Sequence, residues 1–397
     1  MVSILEHNHI INMRFRMEER LDWGRLATFV PNKRLPVYNW FYYKEGFSRD
    51  IVMELLRLFS PGKEDWILDP FCGTGTTLLA CLESGVNSVG FDVHPVSVFS
   101  SRVKTRDYDT DMLRKELSKM LDARYARPRA MIKHPLINRA FPPKLLEKVI
   151  FYRDMILGIK EETSREFFML ALMNVAVKCS YLWKDGSVVK IRKKPVPPLR
   201  DMFKRQARRM IRDAEGFRRS GKSIADFGDA RSIRLENDSV KGIITSPPYL
   251  NKIEYTKIYE AEQELLLKHV IQEAPVRTFI GLTLDKIERD SALLIKVLDD
   301  ETVNSLPQEA CPYFMDMEQS IREMFRVCKS GAKLGIVVGN GCFPDRVVES
   351  DTILCRLAEE TGFEVEKMVV LNKRWCTRNR TRKVGILRES LLLWRKP

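Results

Sequence analysis

The sequence lacks the features that would assign the chain to a membrane or to a secreted scaffold. No apolar run reaches the roughly 18 residues of a membrane-spanning helix. The apolar stretch near the N-terminus is short and interrupted, so no secretory signal is expected. The eight cysteines form no C-x-x-C pair, which predicts mostly reduced thiols in a cytoplasmic protein and no structural zinc. The five histidines show no metal-ligand cluster beyond the terminal His7/His9 pair, so no metal site is predicted.

Positive charge is what the sequence has in excess. Lys and Arg number 67 against 53 Asp and Glu, a formal net charge of +14, and the 44% apolar content excludes a disordered chain. Residues 106–222 contain 29 basic and 14 acidic residues, so this block accounts for the whole excess. A second basic stretch covers residues 372–396, where Glu389 is the one acid. Because nothing resembles a lipid anchor, the charge predicts nucleic acid as the partner and no membrane.

Short apolar strands and helical segments alternate outside the basic block. Strands are predicted at residues 66–69, 88–92, 242–245, 333–338, 363–371 and 386–394, and helices at 48–59, 76–84, 317–328 and 350–361. This alternation predicts an α/β fold with a mostly parallel sheet and helices on both faces. The basic block instead has helical spacing at 144–160, 164–181 and 201–219. We therefore predict an N-terminal segment (1–48), an α/β unit (49–104 and 223–397) and a helical basic insertion (105–222).

The motif DPFCGTGTT lies between a predicted strand and a predicted helix, at residues 69–77. Gly73 and Gly75 permit a tight turn and the close approach of a ligand to the backbone. The next strand ends in Asp92, whose carboxylate can accept hydrogen bonds from two ribose hydroxyls. Each feature alone has a plainer explanation, a strand-to-helix connection or a helix cap. Together they favour a nucleotide-like ligand at the carboxyl ends of the strands.

The motif TSPPY directly follows the strand predicted at residues 242–245. Pro247 and Pro248 force an extended backbone without N–H donors, so the preceding carbonyl oxygens remain free to accept hydrogen bonds. Tyr249 adds an aromatic ring. This arrangement suits a planar ligand that carries an amino group, although a rigid turn or a polyproline ligand for another domain is the alternative.

The sequence from DPFCGTGTT through GFD to TSPPY resembles the amino-group methyltransferases that use S-adenosylmethionine. Serine at the first position of SPPY is most typical of the cytosine-N4 enzymes, whereas adenine-N6 enzymes usually have Asp or Asn there. The segment WFYYKEGFS, at residues 40–48, also resembles the family motif that precedes the Gly-rich loop. The resemblance covers residues 36–104 and 223–397, leaves the insertion out, and implies a Rossmann-like methyltransferase sheet.

The resemblance also implies roles for particular residues. The cofactor S-adenosylmethionine would contact Phe47, Ser48, Asp69, Phe71, Gly73, Gly75, Asp92 and Asp229. The target amino group would be held by Ser246 and the carbonyl of Pro247, with Pro248 completing the turn and Tyr249 stacking on the base. No covalent intermediate is needed, and Cys72 is given no catalytic role. The base would have to leave its stack or be unpaired already.

Weaker candidates for contact with the nucleic acid lie outside these motifs. Asn251 and Tyr255 follow the SPPY turn and would line the base pocket, with packing as the alternative. The basic helix 201–219 presents Arg205, Arg208, Arg209 and Arg212, which favour phosphate contact over a merely solvated face.

The substrate remains open between two nucleic acids. The SPPY motif is most common in DNA enzymes of modification systems, which predicts a site-specific DNA cytosine-N4, or adenine-N6, methyltransferase. The compact helical insertion and a composition suggestive of a thermophile favour structured RNA, such as ribosomal RNA, by a small margin. A non-catalytic nucleic-acid binder is the third hypothesis. Oligomeric state is not predicted.

Overall fold

The computed structural model describes residues 15–185, 188–250, 255–271, 280–281, 306–307, 310–378 and 382–397. The strands are β1 Met17–Glu19, β2 Trp66–Asp69, β3 Asn87–Asp92, β4 Leu182–Asp185, β5 Val188–Ile191, β6 Ser223–Phe227, β7 Val240–Thr245, β8 Cys328–Gly339, β9 Gly341–Cys342, β10 Val347–Val348, β11 Glu364–Arg378 and β12 Arg382–Arg395. The helices are α1 Arg49–Phe59, α2 Thr76–Ser84, α3 Pro95–Thr105, α4 Thr110–Asp122, α5 Pro135–Ala140, α6 Pro143–Leu157, α7 Glu162–Lys178, α8 Leu199–Gly216, α9 Tyr255–Ile258, α10 Glu260–Leu265, α11 Cys311–Val327 and α12 Ser350–Thr361. Short 3-10 helices cover Leu21–Trp23, Pro31–Arg34, Tyr38–Trp40 and Leu267–His269.

One eight-stranded sheet organises the fold, in the order β1-β11-β12-β8-β7-β2-β3-β6. Strands β6, β3, β2, β7 and β8 run parallel, and β12 runs antiparallel to both of its neighbours. The chain leaves β2 towards β3 and β6 and then returns to β7 on the other side of β2. This reversal leaves a crevice between β2 and β7 at their carboxyl ends, where open α/β sheets bind ligands. The predicted Rossmann-like α/β fold is confirmed.

The helices begin and end where local chemistry allows. The Ser48 hydroxyl accepts a hydrogen bond from the Ile51 N–H at 3.3 Å and caps α1. Gly362 ends α12 with a φ of 113°, a conformation that glycine adopts without strain. The strand predicted at 66–69 and the helix predicted at 76–84 have the predicted bounds.

The basic insertion is packed on the sheet domain through a common hydrophobic core. Side chains of α4 to α8 share this core with α3 and with aromatic residues of the N-terminal segment. Trp40 is fully buried, donates its indole N–H to Asp213 of α8 at 3.0 Å, and contacts Phe167 of α7 edge to face. Asn174 of α7 donates to the Trp40 carbonyl at 2.7 Å. The insertion therefore shares one hydrophobic core with α3 and the N-terminal segment.

Several features were not predicted from the sequence. The N-terminal segment supplies the edge strand β1, which pairs in parallel with β11. The insertion is mostly helical but also contains the antiparallel hairpin β4/β5. Strands β11 and β12 are longer than predicted and reach well beyond β8. Among the described residues, no helix has the length and apolar character that crossing a membrane requires.

The cysteines follow the prediction except for one pair. Cys342 and Cys376 form a disulfide with a Cα–Cα distance of 5.8 Å. The other six cysteines are free thiols, and five of them are buried. The expectation of reduced thiols is wrong for this pair, because residues 34 apart in sequence meet only where β9 packs on β11.

Candidate active site

The loop between β2 and α2 turns tightly at its two glycines. Gly73 and Gly75 have φ values of 51° and 80°, which L-residues with side chains rarely adopt. A Cβ on Gly73 would lie 3.1 Å from the ring of Tyr43. Gly75 donates its N–H to the Cys72 carbonyl at 2.8 Å and occupies the N-cap of α2. The loop thus brings bare backbone and a helix N-terminus to the carboxyl edge of the sheet.

Asp92 fixes this loop to the end of β3. One carboxylate oxygen accepts the Gly73 N–H at 2.9 Å, and the other accepts the His94 N–H at 2.8 Å. Burial raises the pKa of Asp92 to about 6. Each oxygen keeps further lone pairs, so the carboxylate can accept ligand hydroxyls while it holds the loop.

Asp69 joins the two motifs across the crevice between β2 and β7. Its Oδ1 atom accepts the Thr245 hydroxyl at 2.6 Å and the Phe71 N–H at 3.2 Å. Thr245 is the last residue of β7 and the first of TSPPY. Burial raises the pKa of Asp69 to about 6. The start of the Gly-rich loop and the start of SPPY are therefore held in a fixed relation.

The SPPY turn leaves β7 at the edge of the same crevice. Ser246 and Pro248 line the cleft, while Pro247 is buried. Tyr249 lies outside the lining residues, packs against the core beneath β7 and β8, and donates its hydroxyl to Glu389 Oε1 of β12 at 2.9 Å. The Tyr249 ring is thus held by packing against this core and by its hydrogen bond to β12.

These elements line one cleft at the carboxyl edge of the sheet. Of the residues predicted from the sequence, the lining includes Phe47, Asp69, Phe71, Gly73, Asp92, Asp229, Ser246 and Pro248. Ser48 and Gly75 are not among them, because the first caps α1 and the second caps α2. Both shape the cleft without facing it, and direct cofactor contact by either stays a prediction.

Asp229 enters the cleft from the loop after β6 as part of an ion-pair chain. Its carboxylate accepts from the Arg231 guanidinium at 2.6 and 2.9 Å. Arg231 also donates to the buried Asp316 of α11 at 3.1 Å, and Asp316 accepts the Gly281 N–H at 2.8 Å. The cofactor contact predicted for Asp229 is compatible with this arrangement, and it stays a prediction.

The cleft contains an aromatic and acidic wall that the sequence did not single out. Tyr43 and Glu45 line it. Tyr259, which lies between α9 and α10, stacks on Tyr43 with ring centroids 5.5 Å apart. The Tyr259 hydroxyl donates to Glu45 at 3.0 Å, and burial raises the pKa of Glu45. Tyr43 and Glu45 belong to the WFYYKEGFS segment, so their position before Phe47 was the available signal.

Lys104 lies beneath the Gly-rich loop and is almost fully buried. Its ammonium donates to the Thr74 carbonyl at 3.1 Å and to the Phe41 carbonyl at 3.5 Å. Burial lowers the pKa of Lys104 to about 7. One side chain therefore ties the loop to the N-terminal segment.

The predicted basic surface on α8 is only partly exposed. Arg205, Arg208 and Arg212 are exposed at helical spacing on α8, whereas Arg209 is half-buried and donates to Gln206 at 2.6 Å. Asn251 and the Tyr255 side chain lie outside the described residues. Within the described ranges, no three His, Cys, Asp or Glu side chains could together hold a metal ion.

Comparison with known proteins agrees with the geometry. A family model described as DNA methylase, of the N6/N4 methyltransferase type, matches residues 24–98. The Type II methyltransferase M.AvaI of Anabaena variabilis is 26% identical over 465 aligned positions, which cover 100% of this chain and 94% of the relative. M.BsoBI of Geobacillus stearothermophilus is 23% identical over 462 positions, covering 96% and 90%. These similarities support a nucleic-acid methyltransferase of the N4/N6 type.

Other matches are shorter or more distant. The Type II methyltransferase M.MjaII of Methanocaldococcus jannaschii is 38% identical over 106 positions, which cover 26% of this chain and 20% of the relative. A solved S-adenosylmethionine-dependent methyltransferase from Methanosarcina mazei is 10% identical with a TM-score of 0.33, over 86% of this chain and 96% of that one. The fold of this methyltransferase is assigned from its own strand order.

The cofactor of this methyltransferase is S-adenosylmethionine, and the cleft fits it. The cleft is concave and lined by both apolar and polar side chains, as small-molecule sites are. The positive φ values at Gly73 and Gly75 permit close approach to the backbone, and the N-terminus of α2 favours a carboxylate. Asp69 and Asp92 add acceptors for hydroxyl and ammonium groups. Burial raises the pKa of the Cys72 thiol, and its lack of a catalytic role stays a prediction.

Proposed function

We propose that this methyltransferase acts on the N4 amino group of cytosine in DNA. The observation that carries the proposal is Ser246, the first residue of SPPY, facing the cleft beside Asp69 at the carboxyl end of β7. Serine at that position favours cytosine over adenine by resemblance. The DNA methylase family model and the Type II methyltransferase relatives favour DNA over RNA. The small preference for structured RNA drawn from the sequence finds no support in these comparisons.

The chain's own residues would align the target base and accept its amino hydrogens. The cytosine amino nitrogen is a poor nucleophile because its lone pair is delocalised into the ring. The Ser246 hydroxyl and the Pro247 carbonyl would accept its two hydrogens and draw the nitrogen towards a tetrahedral geometry. Tyr249, held by Glu389, would stack on the base and fix its plane. Bound S-adenosylmethionine supplies the electrophilic methyl group, and fixed geometry supplies the rest of the rate enhancement.

Nucleoside mass spectrometry tests this proposal. Purified protein is incubated with methyl-labelled S-adenosylmethionine and either genomic DNA or ribosomal RNA, and the product is digested to nucleosides. We expect labelled N4-methyldeoxycytidine from DNA and none with Ser246→Ala as the matched control. Labelled N6-methyldeoxyadenosine would show an adenine enzyme, and label confined to RNA would contradict the DNA assignment.

Cofactor binding should weaken in acid. Asp69 and Asp92 both have pKa values raised to about 6, so both are ionised above that pH and increasingly protonated below it. A cofactor that carries positive charge and donates ribose hydroxyls binds the ionised forms better. Calorimetric titration should therefore give a Kd that rises as the pH falls from 7 to below about 6. An affinity that stays flat down to about pH 5 would contradict contact with either carboxylate.

The exposed arginines of α8 should bind phosphate without affecting the cofactor. In Arg205→Ala/Arg208→Ala/Arg212→Ala, we expect weaker DNA binding and a salt dependence reduced by about 0.9 per lost phosphate contact. Fluorescence anisotropy against salt concentration measures both. A matched pair, Lys63→Ala/Lys222→Ala, removes exposed charge near the amino ends of β2 and β6 and should bind DNA normally. Loss of cofactor affinity in the α8 variant would contradict this division of roles.

A further inference from the structure

The outer half of the β11/β12 hairpin projects past the catalytic edge of the sheet. Glu389 pairs with Gly339, the carboxyl end of β8, and β12 continues away from that point towards Arg382 without a β8 partner. Because β8 runs parallel to β7, this is the edge where the cleft opens. At about 3.3 Å per residue, residues 382–388 of β12 extend roughly 20 Å past the end of β8. We call residues 372–378 and 382–388 the ribbon.

The ribbon is held rigidly where it leaves the sheet. The Cys342–Cys376 disulfide ties it to β9, which follows β8 directly. Gly385 lies so close to Val347 of β10 that a Cβ there would be 2.9 Å from the valine side chain. Lys373 forms an ion pair with Glu19 of β1. These contacts fix the direction in which the ribbon projects.

The surface of the ribbon combines cations with exposed apolar side chains. Trp375 and Ile386 lie directly opposite each other in the strand register and are 53% and 49% exposed. The Lys383 ammonium lies 4.3 Å from the centre of the Trp375 ring. Arg374 and Arg382 are exposed, and within the described part of the chain neither has a carboxylate partner. Such a combination of cations and exposed apolar side chains is complementary to a polyanion that also presents apolar edges.

We propose that the ribbon is a nucleic-acid-binding arm that contacts the duplex flanking the target base. Arg374, Arg382 and Lys383 would contact phosphates, and the Trp375–Ile386 pair would rest on apolar sugar and base edges. A two-stranded ribbon fits the width of the DNA major groove. The inference rests on the proposed function, since it takes the substrate to be duplex DNA.

The ribbon also connects this contact to the catalytic turn. Glu389 follows the ribbon on β12 and accepts the Tyr249 hydroxyl at 2.9 Å. Arg388, the last ribbon residue, donates to the buried Asp351 at 2.9 Å and is held in place by it. Since β12 carries both the ribbon residues and Glu389, a duplex bound to the ribbon would have a fixed position relative to the SPPY turn.

Paired substitutions with a matched control test the arm. The variant Arg374→Ala/Lys383→Ala should bind a fluorescently labelled duplex fragment about tenfold more weakly near 0.1 M salt, with a salt slope lower by up to about two. The control Lys63→Ala/Lys222→Ala removes two exposed lysines near the amino ends of β2 and β6 and should bind as the wild type does. Trp375→Ala should lose at least about fivefold in affinity, while Trp375→Phe keeps most of it.

Cofactor binding and DNA methylation by the wild type separate the two possible failures. If the wild type neither binds duplex DNA nor methylates it, the proposed function fails. If the wild type does both and the ribbon variants bind duplex with unchanged affinity and salt slope, the arm is wrong. Each variant is compared with the wild type in thermal unfolding and in S-adenosylmethionine titration. Unchanged values there, with weakened duplex binding, would support the arm.

Discussion

Replacing Tyr249 by alanine is expected to reduce methyl transfer by a factor on the order of 100 or more while leaving the Kd for S-adenosylmethionine nearly unchanged. The ring lies outside the cofactor cleft and is fixed by packing against the core and by the hydrogen bond to Glu389. Its loss would free the base to rotate out of line with the methyl group. Single-turnover rates with saturating cofactor and DNA measure the effect.

Two further variants separate stacking from anchoring. Tyr249→Phe keeps the ring and removes only the hydroxyl, so its rate should fall much less than that of the alanine variant. Glu389→Gln keeps a hydrogen-bond acceptor and should resemble the wild type. If Tyr249→Ala turned over at close to the normal rate, the ring would have no role in holding the base.

Replacing Asp92 by asparagine should weaken S-adenosylmethionine binding by about 100-fold. The asparagine amide would lack the charge-assisted hydrogen bonds that the Asp92 carboxylate would accept from two ribose hydroxyls. Each of these bonds would contribute about 1–2 kcal/mol. An amide can also accept only one of the backbone N–H groups that the carboxylate now accepts, from Gly73 and His94. The Gly-rich loop should then be held less firmly. Isothermal titration calorimetry measures the affinity.

Asp226 provides the matched acid for this substitution. It lies on the neighbouring strand β6, is partly exposed, and is not among the residues that line the cleft. Asp226→Asn should leave the cofactor Kd unchanged. Equal effects of the two substitutions would indicate a general electrostatic influence and remove the ribose assignment for Asp92.

Local sequence patterns predicted the parts of the fold that depend on neighbours along the chain. The strand ending at Asp69, the helix that begins at Thr76 and the helix that ends before Gly362 follow from apolar periodicity and glycine conformation. The motif residues converge because parallel strands end at one edge of the sheet. Asp69 and Asp92 end two of the strands, Ser246 follows a third, and all three face one cleft.

What the sequence did not predict depends on contacts between distant segments. No local pattern indicates that Thr245 donates to Asp69, that Tyr249 donates to Glu389, or that Cys342 meets Cys376. The family resemblance places Ser48 at the cofactor, which stays a prediction, and the local pattern did not indicate that its hydroxyl caps a helix. Its capping role is decided by the start of α1. The overhang of β12 depends on where β8 ends, which only the pairing register fixes.

The insertion shares its hydrophobic core with α3 and the N-terminal segment, and this shared core limits how target preference can change. A recognition unit on a flexible tether can be exchanged whole between related enzymes, because each part keeps its own core. Removing residues 105–222 here would strip Trp40 of Phe167 and Asp213 and uncover the apolar face of α3. A new target site would therefore have to arise by stepwise substitution on exposed surfaces, with the scaffold retained beneath them.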